Sequence, residues 1–179
     1  MAKAGLGDNW SCLFANDFDP KKGQTYLRNW SAEYFKICDV KTLKTDDLPS
    51  IAQMAWASFP CQDLSLAGAG AGLKGKRSGT FWPFWKLMIG LIEEERAPRI
   101  IVLENVCGTL TSHSGKDFES ILDALMKASY RFGALIIDAA LFVPQSRRRL
   151  FIIAVKEEQL IPGDLVSKDA IEPWHTSTL

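Results

Sequence analysis

The sequence is poor in histidine and tyrosine and carries no excess of either charge. Its 179 residues include two histidines, His113 and His175, and three tyrosines, and the 21 basic side chains balance the 21 acidic ones. A protein held to nucleic acid by bulk charge alone is basic, so any such contact here must come from local patches. The four cysteines, Cys12, Cys38, Cys61 and Cys107, form no C-x-x-C pair. With two distant histidines they match neither a structural zinc site nor the disulfide framework of a secreted domain, and no metal is expected. No apolar run approaches the ~18 residues of a membrane span, and the first thirty residues hold no signal-like apolar core. The longest apolar stretches are cut by Lys86 and Asp138. These absences point to a reduced, soluble, cytoplasmic chain with no membrane partner. What is present is ordinary for one globular domain: 47% hydrophobic and 23% charged residues, which excludes disorder or a fibre as its main character.

Short apolar runs alternate with helical patterns. Cys12 to Ala15, Tyr34 to Cys38, Met54 to Phe59, Arg99 to Leu103, Phe132 to Ile137 and Leu150 to Val155 read as strands. Pro20 suits a helix start, and Phe81 to Arg96 is helix-length and apolar on most sides. Phe118, Ile121, Leu122, Leu125 and Met126 keep the spacing of an amphipathic helix. The glycine-rich stretch 63–80 has no period and reads as a loop. Strands alternating with helices imply parallel pairing, since each crossover needs about a dozen residues. In such sheets ligands gather at the carboxyl ends of the strands, which directs attention to Asp17, Asp39, Pro60-Cys61 and Glu104-Asn105.

Each candidate has a plain alternative. Cys61 leaves a strand after Phe59-Pro60, where an exposed thiol can be activated by a nearby cation or helix N-terminus; it can equally be a small apolar filler. Cys12, Cys38 and Cys107 have no such setting. Glu104 ends an aliphatic strand, where partial desolvation raises a carboxyl pKa and lets it donate a proton; a solvent-facing or capping role is the alternative. Arg147, Arg148 and Arg149 follow Pro144-Gln145-Ser146. Strand alternation would put Arg147 and Arg149 on one side, where forked hydrogen bonds could fix a carboxylate or carbonyl; a solvated or phosphate-contacting face is the alternative. Asp17 and Asp39 can accept from ribose hydroxyls or an exocyclic amine, and Phe18 can stack on a purine.

Taken together, Phe59-Pro60-Cys61-Gln62, Glu104-Asn105-Val106 and Pro144-Gln145-Ser146-Arg147-Arg148-Arg149 closely resemble the ordered motifs of the DNA (cytosine-5)-methyltransferase family, over about residues 11–156. The resemblance implies an α/β, Rossmann-like S-adenosylmethionine-dependent fold, a mostly parallel sheet with helices on both faces. It implies Cys61 as the nucleophile that adds to carbon-6 of a flipped-out cytosine, with Glu104 binding ring nitrogen 3 and the exocyclic amine. Gln145, Arg147 and Arg149 would orient the base. Asp17, Phe18, Asp39, Val40, Pro60 and Phe81 would line the S-adenosylmethionine site. Double-stranded DNA would be the partner, with Lys74, Lys76 and Arg77 on its phosphates, in the bacterial cytosol or nucleoid and in a restriction-modification setting.

The pattern departs from the family at both ends. Met1 to Gly7 resembles only the helix that follows the family's first strand and glycine turn, so that strand is expected to be missing. Residues 1–157 are then a partial catalytic domain, and 158–179 lead toward an absent target-recognition domain. A fragment of this kind implies weak or absent activity alone, and the alternatives are a split-enzyme or catalytically dead interaction module that completes or competes with another methyltransferase chain, or an RNA cytosine methyltransferase, since one branch of the family acts on tRNA.

Overall fold

The computed structural model describes residues 2–59 and 81–166. The Pro60-Cys61 segment, the glycine-rich stretch 63–80 with Lys74, Lys76 and Arg77, and the last thirteen residues lie outside them. The chain divides into two compact units, Met1–Ala52 with Trp82–Ala97, and Gln53–Phe81 with Pro98–Leu179.

In the first unit, the short strands β1 (Ala15–Asp17) and β2 (Phe35–Ile37) pair in parallel. The ladder begins at Ala15, so Cys12 to Phe14, apolar enough to read as strand, precede it. A short helix α1 (Ala2–Leu6) comes before both strands. Helix α2 (Pro20–Asn29) connects them, and its start is chemically determined. Asp19 caps it by accepting from the Lys21 and Lys22 amides, and Pro20 occupies a first-turn position that needs no N–H donor. The helix lies close over β2: a Cβ on Gly23 would stand 2.7 Å from Ile37 Cδ1, and the Tyr26 and Phe35 rings stack with centroids 4.4 Å apart. Most of α3 (Phe81–Glu93) also belongs to this unit. Just beyond its end, Arg96 donates to the Thr45 and Pro49 carbonyls at 3.0 Å each.

The second unit is built on a four-stranded sheet in the order β3 (Met54–Ser58), β4 (Ile100–Asn105), β6 (Arg148–Lys156), β5 (Tyr130–Asp138). β3 and β4 are parallel, and β6 is antiparallel to both β4 and β5. Three of the four strands therefore share a direction and β6 alone is reversed. The alternating pattern predicts parallel pairing throughout, and β5 and β6 depart from it because only residues 139–147 join them, fewer than a parallel crossover requires. Helix α4 (Lys116–Lys127) supplies the β4-to-β5 crossover and packs on β5 through a buried stripe that includes Ile121, Ala124 and Leu125.

Side-chain parity decides which face of this sheet is core. Ile101, Leu103, Leu150, Ile152 and Ala154 are at most 2% exposed, and the register pairs Ile101 with Ala154 and Leu103 with Ile152 on one face. The alternate pair, Glu104 with Phe151, therefore projects from the opposite face. Leu125 is fully buried, so Leu125→Ala is expected to cost about 2–5 kcal/mol through lost burial and a residual cavity. A lowered urea midpoint with unchanged slope is the measurement. No helix among the described residues is long and apolar enough to cross a membrane.

Candidate active site

Glu104 sits at the carboxyl end of β4, level with Ser58 at the end of β3. β3 is the strand that runs into Phe59-Pro60-Cys61; Pro60 and Cys61 themselves lie outside the described residues. On the other side of β4, Glu104 faces Phe151 of β6. Arg149, two residues earlier on β6, therefore shares the Glu104 face, and its Nε lies 3.1 Å from Glu104 Oε1. Both side chains retain about a fifth of their surface, 22% and 23%. Such a half-buried pair keeps the carboxyl oriented while leaving part of it open to a ligand. The neighbouring Asn105 belongs to the opposite, core-facing parity. It is 6% exposed, its Oδ1 accepts from the Val106 amide, and its Nδ2 has no hydrogen-bond partner among the described residues.

The rest of the Gln-Ser-Arg-Arg-Arg segment lies differently from a simple strand alternation. β6 begins at Arg148, so Arg147 belongs to the preceding turn and not to the ladder. Its carbonyl accepts from Ala139 N at 3.2 Å, and its side chain is exposed. Gln145 is exposed as well, and its amide closes a tight turn onto the Val143 carbonyl at 2.7 Å. The residue that organises this turn is Asp138, whose only sign in the sequence is that it interrupts an apolar run. Asp138 Oδ1 accepts from Ala140 N at 3.0 Å and Arg147 N at 2.7 Å, and Oδ2 accepts from Ser146 Oγ at 2.8 Å. These donors, the two amides first, hold its carboxyl below the usual aspartate range.

In the first unit, Asp17 and Asp39 follow adjacent strand ends. Asp17 closes β1, and its carbonyl accepts from Cys38 N at 3.2 Å. Each carboxylate uses Oδ1 for a local amide: Asp19 N at 2.9 Å for Asp17, and Lys41 N at 3.0 Å for Asp39. Among the described residues, Oδ2 of each takes no further hydrogen bond and remains an acceptor. Phe18 is 67% exposed beside Asp17, and Val40 is half-buried in the short turn that Asp39 caps. Phe81 belongs to the second unit and is fully buried, its ring 5.5 Å from that of Phe59. Among the described residues no cluster of three or more His, Cys, Asp or Glu side chains is placed to hold a metal.

Comparison with known proteins gives this arrangement its context. Residues 1–176 match the profile of the family described as C-5 cytosine-specific DNA methylase. The chain is 29% identical over 153 residues to the type II methyltransferase M.BsuFI of Bacillus subtilis, covering 84% of this chain and 36% of that protein. It is 36% identical over 129 residues to M2.BsuMI of Bacillus subtilis strain 168, covering 71% and 32%. Among solved structures it resembles the Dnmt2 methyltransferase of S. pombe, with a TM-score of 0.63 and 21% identity over 84% of this chain and 43% of that one. A likeness at that identity speaks to a shared Rossmann-like α/β fold. The chain spans from about a third to just under half the length of the curated relatives it matches.

Proposed function

The chain belongs to the C-5 cytosine-specific DNA methylase family, and from that premise we propose that it carries the methyl-transfer half of a DNA cytosine-5 methyltransferase. The observation that carries this reading is the Glu104–Arg149 pair at 3.1 Å, on the strand beside the one that leads into Cys61. Carbon-5 of cytosine is a poor nucleophile, and addition of the Cys61 thiolate to carbon-6 converts the ring into an enamine; once carbon-5 carries the methyl, loss of its proton expels the thiolate and restores the aromatic ring. Glu104 holds ring nitrogen 3 and the exocyclic amine and gives a proton to the ring as the thiolate adds. The fixed guanidinium of Arg149 keeps Glu104 aimed and balances charge that develops on the base. A base stacked in a duplex is out of reach of any of these groups, so the target cytosine must be flipped out.

The first unit fits a nucleoside-bearing cofactor. Two carboxylates at adjacent strand ends each offer a spare oxygen, suited to ribose hydroxyls and an adenine amine, and Phe18 offers an exposed ring for stacking. Asp17, Phe18, Asp39 and Val40 would hold S-adenosylmethionine, which when bound supplies an electrophilic sulfonium methyl.

The test is calorimetric titration of the folded chain with S-adenosylmethionine, followed by labelled methyl transfer to duplex DNA with tRNA as competitor. Micromolar cofactor binding and transfer to DNA that tRNA does not suppress are the expected results. Transfer that follows tRNA would move the substrate to RNA. Transfer that starts only when a second methyltransferase chain is added would make this protein one part of a split enzyme. A folded chain that binds no S-adenosylmethionine and methylates nothing in either setting would overturn the proposal.

A further inference from the structure

Arg149 reaches Glu104 only because β6 starts where it does. Leu150, Ile152 and Ala154, buried on one face, fix the parity of β6 and with it the face of Arg149, but Arg149 is held at Glu104 only while the strand stays paired to its first rungs. The ladder beyond Arg149 is anchored by buried aliphatics, but its first rungs are not. Arg148 is exposed, Arg149 half-buried, and residues 140–147 are all exposed. Apolar burial stops at Leu150, so Arg148 and Arg149 depend on polar contacts to stay in place.

What does hold them is polar and comes from one side chain. Asp138 is the last residue of β5 and stands opposite Arg148 in the ladder. Its three acceptor contacts reach both ends of the connection: Ala140 just after β5, and Ser146 and Arg147 just before β6. The main-chain bond from Ala139 N to the Arg147 carbonyl at 3.2 Å closes the same ring. We propose that Asp138 is a positioning residue, whose carboxylate clamps the β5–β6 connection so that the first rungs of β6 stay paired and the Arg149 guanidinium is held at Glu104. The lowered carboxyl pKa is in keeping with this, since the acceptor is a full anion at neutral pH.

The clamp is a statement about geometry. Its catalytic consequence rests on the proposed roles of Glu104 and Arg149, so the test has one readout for each. In the folded full-length chain, the Arg149 Nε–H and the Ala140 and Arg147 amides are followed by nitrogen-15 NMR and hydrogen exchange. Turnover of S-adenosylmethionine with duplex DNA is measured in parallel. Asp138→Ala is expected to lose exchange protection at both amides and to move the Arg149 Nε–H signal to the averaged position of a free guanidinium. Asp138→Asn is expected to restore both, because its Oδ1 can accept from the same two amides and its Nδ2 can donate to Ser146 Oγ. If Asp138→Ala does not fold, Asp138→Ser takes its place: a serine can still cap the Ala140 turn but is too short to reach Arg147. It should keep Ala140 protected while releasing Arg147 and Arg149.

The kinetic expectation for the Asp138→Ala or Asp138→Ser variant is a fall in kcat of about 100-fold, as for a misplaced catalytic group, with KM for DNA little changed and recovery in Asp138→Asn. An Arg149 Nε–H signal that stays in its bound position without the carboxylate overturns the clamp, and so does a wild-type signal already at the free position. Release of Arg149 with kcat unchanged overturns the catalytic consequence. A wild-type chain that methylates nothing, yet loses Arg149 ordering in the variant, overturns the proposed function and upholds the clamp.

Discussion

Replacing Cys61 with serine is expected to abolish methyl transfer while leaving the fold and S-adenosylmethionine affinity nearly intact. The thiol is the only group in the proposed mechanism that bonds to the base. A serine hydroxyl has nearly the same size but stays protonated at neutral pH, where a thiol has a usable thiolate fraction. Without addition at carbon-6, carbon-5 never gains enamine character, and positioning by Glu104 and Arg149 has nothing to act on. The measurement is single-turnover transfer of labelled methyl to duplex DNA. A parallel incubation with 5-fluorocytosine DNA should give a denaturation-resistant complex with the wild type and none with the variant. Retained turnover in Cys61→Ser would sink the covalent mechanism whatever the family resemblance.

The second large effect is expected at Glu104. Glu104→Gln keeps the shape and one acceptor but removes the acid proton that the ring takes up. General acid contributions are commonly worth 10²–10⁴ in rate, so kcat should fall by about that factor, a barrier increase of a few kcal/mol. The side chain is 23% exposed and its parity places it away from the core stripe, so the thermal midpoint should move little. Arg149→Ala should lower kcat as well, and the two changes should be strongly non-additive, because a guanidinium aimed at Glu104 is useful only while the carboxylate is there. A rate for Glu104→Gln equal to wild type would remove Glu104 from the acid role.

How much of this was legible in the sequence varies with the physics behind each element. The aliphatic run Arg99 to Leu103 and the spacing Phe118, Ile121, Leu122, Leu125, Met126 mark β4 and α4 because apolar burial has a period that composition records. The same pattern carries no direction, so β6 reads as one more parallel strand. The clue lay in the shortness of the connection, residues 139–147. Cys12 to Phe14 fail for a related reason: apolar character favours a strand, but a strand is defined by its partner, and β2 offers rungs only to Ala15–Asp17. Of the site, the motif strings around Glu104 and Arg149 are visible as residue types, whereas Asp138 is invisible as anything but a break in hydrophobicity. Its role comes from three hydrogen bonds across a turn, and no pattern of residue types announces which aspartate will make them. Arg147 shows the complementary error, since alternation was extended one residue past the point where β6 begins.

The reversed strand also constrains the order in which the sheet can assemble. β6 is the last strand among the described residues yet lies between β4 and β5, so during synthesis neither of those strands can complete its pairing until residue 156 has emerged. β5 waits with no partner, and β4, the most aliphatic strand of the sheet, waits with one side open. Open aliphatic edges are templates for pairing with other chains. The nine-rung β5–β6 hairpin is the local, low-cost step, and docking of its β6 side onto β4 then closes both edges at once. A nascent chain halted anywhere before β6 is complete would therefore display its stickiest surface.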